Sequence, residues 1–234
     1  MNSIKKSTAF HAFKTTIPVL FGYVPIGMAY GFLLVKTGLE WYWAPLMCII
    51  IFAGAAQFLA LSLFAQQKSA VEMAIAVFLI NARHMVYGIS LLERFSLFKW
   101  AKPYLIYGLT DETYALLTTV DPPEWCDHER FDFWITLFNQ SYWTAGSTIG
   151  ALIGSVIMWD APGLDFALTA LFIVLLVEQI KALKRPGPFI AAAAGVLVFN
   201  LLGFSGQALT GGIVLGSASC FFMVKMKKEV VKSE

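Results

Sequence analysis

Apolar residues run through this chain in long blocks, and the gaps between charged side chains mark them out. Twenty-one uncharged residues separate Lys14 from Lys36, and 27 separate Glu40 from Lys68. Another 27 lie between Asp132 and Asp160, and 39 between Arg185 and Lys225. A membrane-crossing helix needs about 20 mostly apolar residues, so three gaps hold one helix each and the last has room for two. Three weaker apolar stretches that carry charge lie at 70–92, 103–120 and 164–183. The pattern predicts an all-α fold: a polytopic transmembrane helical bundle of about eight spans forming a single integral membrane domain over 1–234. The spans are 15–35, 41–65, 70–92, 103–120, 131–158, 164–183, 188–203 and 207–225. The seventh is short and the fourth contains Asp111 and Glu112, so six or seven crossings remain as alternatives.

Composition agrees with that solvent. Charged residues make up 14% of the 234 and hydrophobic ones 58%, whereas a soluble domain carries about 25% and about 45–50%. This excludes a cytosolic enzyme and a disordered regulator, and a net charge of +2 leaves no basic face for nucleic acid. Cys48, Cys126 and Cys220 offer neither a disulfide framework nor metal-ligand spacing, and no cofactor is expected. The segment up to residue 14 lacks a small-residue cleavage site and opens a long span, so it is not read as a signal peptide.

Lysines set the expected orientation. Lys5, Lys6 and Lys14 precede the first span, and Lys225, Lys227, Lys228 and Lys232 follow the last, which predicts two cytoplasmic termini and an even number of crossings. Eight satisfies this, but it leaves Arg94, Lys99 and Lys102 outside, against the rule. The stretch from Asp121 to Asp132 holds five acids, Asp121, Glu124, Asp127, Glu129 and Asp132, around Arg130. It reads as a solvated connection, with a cation site as the alternative.

A faint internal repeat of two halves is also present. Gly27 and Gly31 recur as Gly146 and Gly150 at an offset of 119, which Asn81 and Asn200 share, while Gln57 and Gln179 come close at 122. Weak symmetry of this kind marks many transporters. If the fourth span crosses, the halves run parallel; if it does not, they are inverted. Gly27–Gly31, Gly146–Gly150–Gly154 and Gly212–Gly216 are small-residue patterns that let helix backbones approach closely.

Polar groups at membrane depth carry the candidate chemistry, because a charge at a helix centre costs about 2.5–3.5 kcal/mol on translocon scales. The third span is centred on Asn81-Ala82-Arg83-His84, followed by Tyr87 and Gly88. Asn81, His84 and Gly88 share one helical face, and Arg83 and Tyr87 stack on another. The counter-charge is expected from Asp111 and Glu112, which point about 100° apart on a helix, so that one can pair with Arg83 while the other faces a cavity. A carboxyl group in low dielectric can hold a proton at neutral pH, which makes Asp111, Glu112 and His84 candidates for proton coupling. In the second span, Phe52-Ala53-Gly54-Ala55-Ala56-Gln57-Phe58 combines small residues with a buried amide, a run able to unwind and offer backbone N–H groups to a carboxylate. In the fifth span, Ser141, Thr144 and Thr148 form one polar face. Glu178 and Gln179 end the sixth, where snorkelling accounts for them.

Phe52–Phe58, the Asn81-x-Arg83-His84-x-x-Tyr87 string and Leu109–Ala115 together resemble the AzlC-type family of branched-chain amino acid permeases, over about residues 12–225. That family more often has leucine at the position of Ala82. The resemblance implies a transporter of the bacterial cytoplasmic membrane, often an exporter of valine, leucine, isoleucine or methionine. It also implies a small AzlD-type membrane subunit as partner. The chain shows no ATP-binding motif, which points to secondary transport. On this reading Gly54, Gln57, Asn81, Arg83, Phe52 and Phe58 contact the substrate, with Met85 as a further apolar contact. Two other functions are weighed. Gly203-Phe204-Ser205-Gly206 spells the G-x-S-G serine motif of rhomboid proteases, yet His11, His84 and His128 all precede Ser205, whereas the rhomboid base follows it. A passive channel is the other. Asn139-Gln140-Ser141 is a glycosylation sequon by spelling only, since it lies within a span.

Overall fold

A computed structural model describes residues 7–157 and 187–203, together with Ile173, Val177, Gly211, Gly212, Leu215 and Gly216. Among these residues every regular element is helical. The helices are α1 (Thr8–Lys36), α2 (Trp43–Ile50), α3 (Gly54–Ala65), α4 (Ala70–Ser90), α5 (Leu92–Ser96), α6 (Lys102–Tyr107), α7 (Asp111–Thr119), α8 (His128–Val156) and α9 (Gly187–Leu201). By length and apolar composition α1 and α4 are long enough to cross a membrane, and α3 and Phe189–Leu201 are shorter apolar helices. The predicted spans 164–183 and 207–225 fall largely outside the described residues.

Two predicted spans are not continuous helices. The stretch 41–65 is interrupted at Ile51–Phe52–Ala53, where Ala53 takes extended backbone angles (φ −154°, ψ 91°). The stretch 103–120 is interrupted at Gly108–Leu109–Thr110, where Thr110 is also extended (φ −110°, ψ 173°) and its hydroxyl accepts the Thr113 N–H to start α7. Hydroxyl capping of this kind satisfies a donor that a helix start otherwise leaves free. Helix α3 starts on Ala53 and has no side-chain cap, so its first amides remain available. Helix α1 contains Pro18 and Pro25, each of which removes one backbone donor and favours bending. It ends at Gly38, whose φ of +89° is the left-handed geometry that glycine adopts without strain.

The chain divides into two compact units, Met1–Lys68 with Ile80–Asp160, and Ser69–Leu79 with Ala161–Glu234. In the first, α1 and α8 form the central pair. They run parallel, because paired positions keep a nearly constant separation: Gly27 faces Trp143 and Ser147, Gly31 faces Ser147 and Ala151, and Lys36 Nζ donates to the Ile157 carbonyl at 2.8 Å. A Cβ on Gly31 would lie 1.8 Å from the Ser147 carbonyl oxygen, and one on Gly150 would lie 2.0 Å from that of Met28. Glycine at both points is what lets the backbones touch. At one end Phe95, Leu105, Leu117, Phe131 and Ile135 bury a core between α5–α7 and the starts of α1 and α8. In the second unit, a Cβ on Gly195 of α9 would lie 3.0 Å from the Gly211 carbonyl oxygen and 3.1 Å from Gly212 Cα, a looser approach.

Candidate functional site

The two interruptions meet. Ile50–Ala53 from the α2–α3 break and Ile106, Tyr107 and Leu109 from the α6–α7 break line one pocket of about 300 Å³, which Asn81 and His84 of α4 complete. That is the lower end of the range for small-molecule sites. The Tyr107 hydroxyl donates to the Ile49 carbonyl and so fastens one interrupted helix to the other. The walls are apolar (Ile50, Ile51, Phe52, Ile106, Leu109), and the polar groups enter from α4 and from interrupted backbone. Asn81 Oδ1 is buried without a hydrogen-bond partner among the described residues.

Beside the pocket, Arg83 Nη1 lies 2.8 Å from Asp111 Oδ2, and the Tyr87 hydroxyl donates to Asp111 Oδ1 at 2.8 Å. Arg83 and Tyr87 stand one turn apart on α4, so a single helical face grips both oxygens of the carboxylate. Tyr87 stacks on Tyr114 at 4.3 Å between centroids, and His84 meets Tyr87 edge-on at 5.8 Å. Arg83 and Asp111 side chains keep 31% and 37% exposure, so the pair lies open on one side. Glu112 points elsewhere, and the Tyr23 hydroxyl of α1 donates to it at 2.6 Å.

Not every sequence-predicted contact reaches the pocket. Phe52, Asn81 and His84 line it, while Gly54, the first residue of α3, is adjacent to the lining residue Ala53. Gln57 is fully buried behind it: its Oε1 accepts from Trp143 Nε1 at 2.7 Å and its Nε2 faces Cys48 Sγ at 3.5 Å. Phe58 is buried edge-on against Tyr30 and Trp143. Both belong to the packed wall. Met85 is 60% exposed and points away from the core. Ser205 lies outside the described residues.

The structure adds groups that the sequence pattern missed. On α8 the buried polar face is Asp132, Thr136, Asn139 and Ser147. Ser141 and Thr148 instead donate to their own helix, to the Leu137 and Thr144 carbonyls. Such back-bonding satisfies a hydroxyl locally and frees it from facing the interior. Asp132 is wholly buried and takes a two-pronged ion pair from Arg94, at 2.7 and 2.6 Å, so Arg83 is not the sole inward cation. Of the other acids near it, Asp127 caps α8, and Glu129 accepts the backbone N–H groups of Lys99, Trp100 and Ala101. These bonds give the acidic stretch a structural use, and no metal-ligating cluster occurs among the described residues.

Residues 18–157 match the family model described as AzlC protein. Over 196 residues the chain is 35% identical to the branched-chain amino acid transport protein AzlC of Bacillus subtilis, spanning 84% of this chain and 77% of that one. It is 45% identical over 170 residues to an uncharacterized membrane protein of Helicobacter pylori, spanning 73% and 75%. It is 29% identical over 222 residues to the inner membrane protein YgaZ of Escherichia coli, spanning 90% and 88%. No solved structure matches. The matched segment contains both helix interruptions, Arg83, Asp111, α1 from Pro18 onward and all of α8.

Proposed function

Because this chain belongs to the AzlC family of membrane proteins, we propose that it is a secondary transporter of branched-chain amino acids. It exports valine, leucine, isoleucine or methionine across a bacterial cytoplasmic membrane, and is driven by a proton gradient. One observation carries the reading: two interrupted helices bring their breaks to a common pocket beside an ion pair. Interrupted helices with a site at their breaks are a recurrent transporter device. The uncapped start of α3 at Gly54 offers N–H groups to a carboxylate, helped by the helix dipole. Asn81 Oδ1 and the carbonyls that end α2 suit an ammonium group, and Ile50, Phe52, Ile106 and Leu109 suit a branched apolar side chain. The Arg83–Asp111 pair gates that pocket, and His84, Asp111 and Glu112 are the groups available for proton coupling. A small AzlD-type membrane subunit completes the transporter.

The same reading covers all of 1–234 as one integral domain of about eight spans, with both termini cytoplasmic. Its two halves are parallel repeats. Support comes from reciprocal contacts at the offset of 119: Gly27 meets the Trp143 carbonyl as Gly146 meets that of Val24, and Gly31 meets the Ser147 carbonyl as Gly150 meets that of Met28. Contacts exchanged in this way are the signature of a two-fold relation. Parallel α1 and α8 also require an odd number of crossings between them, which α2–α3, α4 and α6–α7 supply.

Counterflow of labelled valine, leucine, isoleucine and methionine in proteoliposomes tests the proposal, with and without a pH gradient and the small subunit. Expected is exchange of these amino acids that an imposed gradient drives into net movement. Absence of any amino-acid exchange with both subunits present would overturn the assignment.

A further inference from the structure

The parallel α1–α8 pair is a ruler through the first unit, from Ser7 and Asp127 at one end to Thr37 and Ile157 at the other. Along it both interrupted stretches turn back. Residues Lys99–Ala101, which lead into α6, give their N–H groups to Glu129 in the first turn of α8. From there α6 advances along α8. Trp100 meets Phe133 at 4.8 Å between centroids, Gly108 abuts the Thr136 side chain, and Tyr104 donates to Gln140 at 2.6 Å. After the break at 108–110 the direction reverses. Asn139 donates to Thr113 at 3.0 Å, and Arg94 ties the Leu117 carbonyl to Asp132. Leu105 and Leu117 thus share one core with Ala12 and Phe131, at the end where α6 began.

The other stretch does the same from the opposite end. Residues 37–42 join α1 to α2, so α2 starts at the Thr37 end. Tyr30 donates to Met47 Sδ at 3.2 Å and Tyr107 donates to the Ile49 carbonyl, so α2 runs inward to the α6–α7 break. Past the break at 51–53, Gln57 Nε2 faces Cys48 Sγ at 3.5 Å, and Phe58 returns to Tyr30 at 5.4 Å. Met47 and Phe58 share Tyr30, and Cys48 faces Gln57, on either side of the break. That is the pairing of an antiparallel helical hairpin.

Lengths agree. At 1.5 Å per residue α2, α3, α6 and α7 reach about 12, 18, 9 and 14 Å, each well short of a hydrocarbon core of about 30 Å. The 21 residues of α4 reach about 31 Å. Its second half runs beside α7: Arg83 and Tyr87 meet Asp111, Ser90 meets Tyr114, and Leu91 and Phe95 then enter the core that holds Ala12 and Phe131.

We infer that α2–α3 and α6–α7 are re-entrant hairpins that enter from opposite membrane faces and meet tip to tip at the pocket, each forming the barrier toward its own face. The irregular backbone of each tip is then covered by the other tip rather than by lipid, as membrane depth requires. One barrier consists of Leu105, Leu117 and Phe131 around α6–α7, the other of Tyr30, Phe58 and Trp143 around α2–α3. On this topology α4 alone supplies the odd crossing between α1 and α8, in place of the three that the apolar stretches suggest. With 164–183, 188–203 and 207–225 counted from sequence, six crossings remain, still an even number. Arg94, Lys99 and Lys102 come to the face of Lys14, and the conflict with the lysine rule disappears. The barrier role rests on the transport reading, whereas the topology stands without it.

Sided labelling decides the topology. Ser7→Cys, Glu40→Cys, Gln66→Cys, Lys99→Cys and Asp121→Cys, all at exposed positions, are made singly with Cys48, Cys126 and Cys220 replaced by alanine. An impermeant maleimide is then offered to right-side-out and to inverted membrane vesicles. Lys99→Cys and Asp121→Cys should react from the face of Ser7→Cys, and Gln66→Cys from the face of Glu40→Cys. Any other distribution overturns the hairpins. Should the chain without its own cysteines not insert, the wild-type lysines decide. An impermeant amine reagent, read by peptide mass spectrometry, should modify Lys99 together with Lys14, and Lys68 from the other face; any other grouping overturns the topology. Expected labelling in a protein that shows no counterflow would keep the hairpins and remove their role as barriers, so either reading can fail alone.

Discussion

At the scale of residues, the legible signals were charges misplaced in apolar sequence. Arg83 and Asp111 each interrupt a hydrophobic run, which is why their pairing was expected, whereas the second contact to that carboxylate, from Tyr87, was not foreseen although it follows from the i, i+4 spacing. Tyr23, Thr113 and Asn139 gave no comparable signal, because hydroxyls and amides are common in membrane helices and only tertiary packing decides which face inward. Arg94 and Asp132 were hidden for the opposite reason: charges at span ends read as solvated until the fold joins them. Arg83→Ala and Asp111→Asn are each expected to reduce counterflow at least tenfold while membrane insertion, followed by a fluorescent fusion, stays intact. Wild-type exchange in either variant would remove the pair from the mechanism. Arg94→Ala leaves Asp132 buried without its cation, a loss of about 3–5 kcal/mol for a fully buried partner. Thermal unfolding in detergent should show a clearly lower midpoint for Arg94→Ala, and a smaller drop when Asp132→Asn is added.

Among elements, the continuous helices were easier to foresee than the broken ones. The small-residue run Gly54–Ala56 marked a place where helix could give way, and the break lies just before it, at 51–53. The α6–α7 break was not apparent, since it depends on the Thr110 hydroxyl reaching the Thr113 N–H and on the Tyr107 hydroxyl reaching the Ile49 carbonyl. The glycine pairs announced a close crossing, and α1 against α8 supplies it. Two sets of glycines should therefore behave oppositely. Gly31→Val or Gly150→Val forces a side chain into facing backbone, and should abolish the monodisperse peak in size-exclusion chromatography. Gly22→Ala and Gly88→Ala meet nothing within 4 Å, so each should raise the melting midpoint, by about 0.5–1 kcal/mol of helix stability. A folded Gly31→Val variant would contradict the backbone contact.

For the whole molecule, the parallel run of α1 and α8 has a topological consequence. Single cysteines placed at Thr37 and Ile157 should react with an impermeant maleimide from the same side of the membrane, and cysteines at Ser7 and Asp127 from the other. Labelling of Thr37 and Ile157 from opposite faces would break the repeat relation and the crossing count with it. The interruption of α2–α3 bears on how such a molecule is made. At 1.5 Å per residue its 8- and 12-residue segments reach about 12 and about 18 Å, each well short of a hydrocarbon core of about 30 Å. The complementary break at Leu109 emerges from the ribosome about 44 residues after Ala65, on the order of seconds later at about 5–20 residues per second. During that interval the backbone at 51–53 is without its eventual neighbours, and hydrocarbon penalises bare peptide groups. On the proposed eight-span reading, biogenesis cannot proceed one finished span at a time: the growing chain has to keep the α2–α3 stretch sheltered, in the insertion machinery or at the lipid interface, until α6–α7 arrives to close it.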